Sequence, residues 1–358
     1  MENTKIVLFI TLITFARTPS LVFGNSENTK QNFPAILVFG DSTVDTGNNN
    51  FINTLFKANF LPYGQDFPGH IPTGRFCDGK LVPDLIASFL GIKDLVPPYL
   101  DPRLSDDEIK TGVSFASAGS GYDDLTTIIS NVIPASTEVD MLKSYIKRLN
   151  SIVGEEEAKK IVEGALVLVS AGTNDFVFSF YDLPTRSSEF NITGYQSFLL
   201  DKLQKLIKNI YDLGCRTIVI TGVPPIGCLP IQMTIKFEAQ EFRTCMENQN
   251  SDAESYNAKL QNLLPQWQAS LPGTRLFYAD IYGPLYDMMN NPQNYGFVET
   301  KKGCCGTGLV EASFLCNTLT PVCGNPQQFL FWDSIHPSQA AYSFLAKNLT
   351  QAFLTQLN

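Results

Sequence analysis

Histidine is almost missing from this sequence: His70 and His336 are the only two in 358 residues. That scarcity starves any histidine-rich metal centre, and it narrows a general base working near neutral pH to two positions. Cationic residues are also short, 26 against 35 anionic ones, for a formal charge of -9 and a pI near 4.8. No basic patch is available to release phosphate counterions, so nucleic acid is excluded as a partner. Several fingerprints are missing too. The chain has no G-x-S-x-G elbow, no H-E-x-x-H pair, no P-loop and no dinucleotide-binding glycine pattern. Its eight cysteines show no paired C-x-x-C spacing, and adjacent Cys304 and Cys305 are poor partners in a tetrahedral zinc site.

Long apolar runs are equally scarce. The one that stands out, "IVLFITLITF" at residues 6–15 behind Lys5, has the length of a signal-peptide core and is too short to span a bilayer. Small-residue cleavage fits after Gly24. Residues 1–24 are therefore expected to be a secretory signal peptide and 25–358 a single domain without a transmembrane anchor. The cysteines agree with export, being even in number, with four of them crowded into "KGCCGTGLVEASFLCNTLTPVC", a loop-like stretch suited to disulfides. Sequons at Asn191 and Asn348 are compatible with glycosylation on the same route.

What the sequence does have is apolar content, 44%, enough for a large core. Five short runs are apolar-rich without alternation: "FPAILVFG" (33–40), "GVSFASAG" (112–119), "ALVLVSAG" (165–172), "CRTIVITG" (215–222) and "TRLFYADI" (274–281). Such runs suit a buried parallel sheet. Amphipathic helical patterns lie between them, such as "LVPDLIASFLGI", "EVDMLKSYIKRLNSIVG" and "YQSFLLDKLQKLIKNIYDLG", and a last one lies near "SQAAYSFLAKNLTQAFL". The expected fold is a three-layer α/β/α domain with a mainly parallel five-stranded sheet. No linker or repeat divides it.

In open sheets of this kind, ligands sit beyond the carboxyl ends of the strands. Three runs end there in polar residues: "GDS" with Ser42, "AGSG" with Gly119 and Gly121, and "GTND" with Asn174. Together they offer a nucleophile and oxyanion donors. The base is His336, because "DSIHP" sets Asp333 three residues before it, where a carboxylate can fix the imidazole tautomer; His70 lies in a Pro/Gly-rich loop without an acidic neighbour.

"FGDSTVDTGNN", "SFASAGSG", "SAGTND" and "DSIHP" stand in the order and spacing of the plant GDSL esterase/lipases of the SGNH hydrolase superfamily, whose fold is flavodoxin-like. The resemblance runs from about residue 33 to 350 and takes in "PTGRFCDGKLVPDLIA", "GVPPIGCLP" and "KGCCGTG". "YGFVETKKGCCGTG" is most similar to the extracellular lipase subgroup. The resemblance implies Ser42 as nucleophile and amide donor, Gly119 or Gly121 as a second amide donor, Asn174 as the side-chain donor, and Asp333 and His336 as acid and base. It implies a carboxylic ester or lipid as substrate, no cofactor, and an extracellular location in the apoplast or cell wall. An acyltransferase using the same acyl-enzyme, and a lipid- or wall-binding protein with little turnover, are the alternatives.

Two positions depart from the family pattern: Thr43 replaces the leucine after the nucleophile, and Ser114 stands where relatives have asparagine. Asp41, Asp45 and Asn48 offer oxygens in a spacing unlike an EF-hand loop, and are read as braces and caps for a helix "FINTLF". The aromatics of "DFVFSFYDL" and Trp332 are read equally as acyl-pocket lining or as core.

Overall fold

The computed structural model describes residues 33–235 and 243–357; the expected signal peptide lies outside them. Four of the five apolar runs become strands: β1 (Ile36–Gly40), β2 (Leu166–Ser170), β3 (Thr217–Thr221) and β4 (Arg275–Ala279). All pair in parallel in the order β1-β2-β3-β4, with Ile36 opposite Leu166, Leu166 opposite Thr217, and Thr217 opposite Arg275. The first three are buried along their whole length, which explains why their sequences lack the alternation of a half-exposed strand. At the edge, β4 buries only Phe277 and Ala279.

The expected fifth strand is corrected. Residues 111–117 do run beside β1, where Val38 N donates to Val113 O, Phe115 N to Val38 O, and Ser117 N to Gly40 O. Yet only Ser114 makes a bridge, to Val38 on one side and Pro98 on the other. The segment enters through Gly112 at φ 93°, and a Cβ there would lie 1.9 Å from Ile36 O, so regular extended backbone gives way to close approach. Counting this segment second in the chain, the spatial order is 2-1-3-4-5, that of flavodoxin.

The helices, in chain order, are α1 (Val82–Phe89), α2 (Asp106–Lys110), α3 (Asp124–Ser130), α4 (Ala135–Val153), α5 (Glu155–Gly164), α6 (Ile192–Asp212), α7 (Pro230–Ile235), α8 (Glu247–Ser270), α9 (Tyr282–Asn290) and α10 (Gln339–Leu357). α4 packs on α6 and α6 on α8, while α1 packs on α10. Because side chains of β1 to β3 point alternately to both faces and all are buried, both faces are covered, giving the expected three layers. Residues 51–56 form no helix. Only a 3-10 turn, Asn48–Phe51, follows the first motif.

A second, two-stranded parallel sheet joins β5 (Glu299–Gly303) to β6 (Phe329–Phe331). The adjacent cysteines that follow β5 take separate partners, Cys304 with Cys323 and Cys305 with Cys316, while Cys228 pairs with Cys245. Cys77 and Cys215 are free and buried, so the even count does not mean four bridges. Among the described residues, no helix is long and apolar enough to cross a membrane.

Candidate active site

β1 ends at Gly40, whose φ is 135° and whose missing Cβ would lie 1.9 Å from Ser170 O on the neighbouring strand, so only glycine allows the chain to leave the sheet here. The turn that follows is built around Asp41. Its Oδ1 accepts from Thr43 N at 3.0 Å and Thr43 Oγ1 at 2.8 Å, and its carbonyl accepts from Val44 N and Asp45 N. Ser42 is thereby held at the carboxyl end of the central strands. The threonine that replaces leucine thus braces the turn that carries Ser42, and its hydroxyl also meets Ser170 Oγ at 3.1 Å.

The facing turn leaves β6. Asp333 Oδ1 accepts from the backbone of Ile335 at 2.9 Å and of His336 at 2.7 Å, and Trp332 N donates to His336 O at 2.8 Å, closing the loop. The imidazole is fixed at both nitrogens: Nδ1 lies 2.8 Å from Asp333 Oδ2, and Nε2 lies 2.7 Å from Ser42 Oγ. All three side chains are nearly excluded from water. His70 is exposed, and among the described residues its ring meets only the carbonyl of Gln65.

A third wall comes from the loops after residue 114 and after β2. Asn174 Nδ2 donates to Ser120 O at 2.8 Å, and a primary amide keeps a second N–H to give. Gly119 and Gly121 are buried, and among the described residues neither backbone N–H has a hydrogen-bond partner. Buried unpaired N–H groups are rare, and both of these flank Ser120, whose carbonyl Asn174 bonds.

Asp175 ties this wall together, a role the sequence reading missed. Its carboxylate accepts from Tyr122 N at 2.8 Å, Asp123 N at 3.1 Å and Thr126 Oγ1 at 2.6 Å, and burial pushes it up to about 7. Burial likewise pushes Asp41 and Asp45 up to about 6 and raises Glu138, which accepts from Gly40 N at 2.9 Å. Asp45 caps the 3-10 turn through Gly47 N and Asn48 N and reaches across to Ala118 N at 3.0 Å. Ser114, in place of asparagine, donates to Val44 O at 3.0 Å.

Ser42, Asn174 and His336 line the mouth of an apolar cleft whose walls include Val82, Leu229, Ile281, Ile335, Tyr342 and Leu345. None of these was singled out in the sequence. The aromatics after Asn174 are absent from the lining: Phe176 is fully buried and Phe178, Phe180 and Tyr181 pack against the main core. Trp332 is buried against Tyr63, also away from the cleft. Among the described residues, no cluster of His, Cys, Asp and Glu is arranged to hold a metal ion.

Residues 36–349 match the family described as GDSL-like Lipase/Acylhydrolase. Two Arabidopsis thaliana proteins named GDSL esterase/lipase are 54% and 53% identical to this chain. The first match covers 97% of this chain and 96% of the relative, and the second 96% of each. The chain belongs to the plant GDSL esterase/lipases, a family of carboxylic ester hydrolases.

Proposed function

We propose that this chain is a secreted serine esterase that hydrolyses carboxylic esters through an acyl-enzyme on Ser42. The observation that carries the reading is the continuous hydrogen-bonded line from Ser42 Oγ through both imidazole nitrogens to Asp333 at the mouth of an apolar cleft. His336 takes the Ser42 proton as the oxygen attacks the ester carbonyl, and Asp333 stabilises the imidazolium that forms. The same proton then goes to the leaving alcohol. Water, deprotonated by His336, releases the acid and restores Ser42.

The developing oxyanion is received by Ser42 N–H, Asn174 Nδ2 and a glycine amide. Peptide geometry favours Gly119 for the last. Ser120 O faces Asn174, and in a trans peptide the N–H of the next residue points the opposite way, which turns Gly121 N–H from the Asn174 side. Gly119 also sits at φ 87°, where other residues are strained.

Export is supported by the three disulfides and the amino-terminal apolar run, and both sequon asparagines, Asn191 and Asn348, are exposed. A fluorophosphonate probe on the oxidised protein, followed by peptide mapping, tests the mechanism. Labelling at Ser42 that disappears in His336→Ala is expected. A folded wild-type protein that stays unlabelled would overturn the esterase and leave a binding role.

A further inference from the structure

The cleft at Ser42 continues inward as an apolar slot walled by Leu168, Leu285, Phe331, Leu345 and Leu349, all of them buried. The cleft as a whole, Ser42 and His336 included, has a cavity volume of about 60 Å³. Beneath it lies a separate cavity, about 20 Å³ by the same measure, walled by Ile86, Leu166, Val219 and Phe353 together with Leu168 and Leu349. A third hollow, beside Ala279 and Asn348, opens on the far side. Leu349 is on the wall of all three, whereas Leu168 is shared only by the first two. Leu349 thus borders the slot and both neighbouring hollows.

The two halves of an ester make different demands on such a site. The alcohol must leave and water must arrive at the same carbonyl carbon before the second step, so the alcohol side needs the open mouth. The acyl half stays bonded to Ser42 Oγ through both steps, and a blind apolar slot suits it.

We propose that the slot holds the substrate's acyl chain and that Leu349 on α10 is the stop that sets the chain length accepted. The inference rests on the esterase reading of Ser42 and adds a specificity-determining residue to it. A methylene that finds room in an apolar pocket changes discrimination by about tenfold or more, and one that meets a packed wall is rejected. Leu349→Ala joins the slot to the cavity beneath and deepens it; Leu349→Phe makes it shallower.

The test uses the purified, disulfide-intact protein and p-nitrophenyl esters of straight-chain acids from acetate to hexadecanoate, with a parallel series of acetate esters of straight-chain alcohols. In Leu349→Ala the kcat/KM ratio of dodecanoate to butanoate is expected to rise about tenfold or more, and in Leu349→Phe to fall by a similar factor. Leu349→Val reads the first direction if the alanine variant folds poorly. Unchanged acyl ratios in variants whose hydrolysis still depends on Ser42 would overturn the stop, and so would a shift confined to the alcohol series. A wild-type protein with neither hydrolysis nor labelling at Ser42 would overturn the esterase reading itself, and the acyl slot with it.

Discussion

The Tyr63 hydroxyl donates a 2.7 Å hydrogen bond to Asp333 Oδ2 while accepting one from Ser313 N at 2.8 Å. Asp333 therefore answers to three elements: its own turn, the His336 ring, and a tyrosine 270 residues away. Burial, with the Asp333 charge beside it, holds the Tyr63 phenol well above its ordinary range, so the group remains a donor. It holds the carboxylate in the orientation that meets His336 Nδ1, while drawing some charge from Oδ2. Tyr63→Phe leaves the ring packing and removes only that donor. The expected result is a loss of about tenfold in kcat/KM, in line with about 1–2 kcal/mol for one buried charged hydrogen bond, and an acid limb of the pH–rate profile moved to higher pH. An unmoved limb would reduce Tyr63 to packing.

Ser313 owes its place to the disulfide-bound loop. Cys305 and Cys316 bridge a separation of 11 residues, and Ser313 lies inside it at φ 51°, its Oγ bonded to the carbonyls of Leu55 and Lys57. Replacing both cysteines by serine is expected to lower unfolding free energy by about 3 kcal/mol through loop entropy. It is also expected to lower activity by the route that Tyr63 uses, so combining it with Tyr63→Phe costs less than the sum of the two. Additive losses in that cycle would separate the loop from the catalytic turn.

Much of this was legible in the sequence, and what was not has physical reasons. β1 to β3 announced themselves because burial on both faces makes their runs mostly apolar without alternation. Ser42, Asp333, His336, Asn174 and the glycine turn stood out in the sequence because each ends a strand-like run or sits in a short motif, and the structure brings Ser42, Asp333 and His336 into hydrogen-bond contact. The fifth strand failed at Gly112, where a close backbone approach rather than side-chain chemistry decides the outcome. Tyr63 lies in the loop "LPYGQDF" and carries no local sign of its distant partner. Leu349 reads as one more apolar residue of α10; only the three hollows around it give it meaning. Gly119 and Gly121 are alike in sequence, yet only Gly119 takes a positive φ.

Asn174 offers a test of the proposed oxyanion site that leaves Ser42, the proposed nucleophile, intact. Asn174→Ala removes the side-chain donor but not the Ser42–His336 contact, so substrate still docks and attack still occurs. A fall of about 10²–10³ in kcat with little change in KM is expected for loss of one such donor. A rise in KM at constant kcat would instead place Asn174 in ground-state binding.

The buried acids predict an inverted pH dependence of stability. Asp41, Asp45 and Asp78 are pushed up to about 6 and Asp175 to about 7, each mainly by burial, against 3.8 when unfolded. Over the interval from 3.8 to these values the folded chain binds more protons than the unfolded one, so stability is greatest below it and is lost as pH rises through about 6 to 7. Asp78 is the cleanest place to look: Oδ1 accepts from Gln339 N at 2.7 Å, while the buried Oδ2 has no partner among the described residues, with Cys77 and Asp66 nearby. The thermal midpoint is expected to fall by about 5 °C between about pH 4 and pH 7. Asp78→Asn keeps the acceptor for Gln339 N and cannot ionise, so it is expected to raise the midpoint at the higher pH and leave it nearly unchanged at the lower, flattening the slope. A wild-type midpoint that climbs with pH over this range would mean that these carboxylates fold ionised, their charge carried by the backbone N–H groups that cap them.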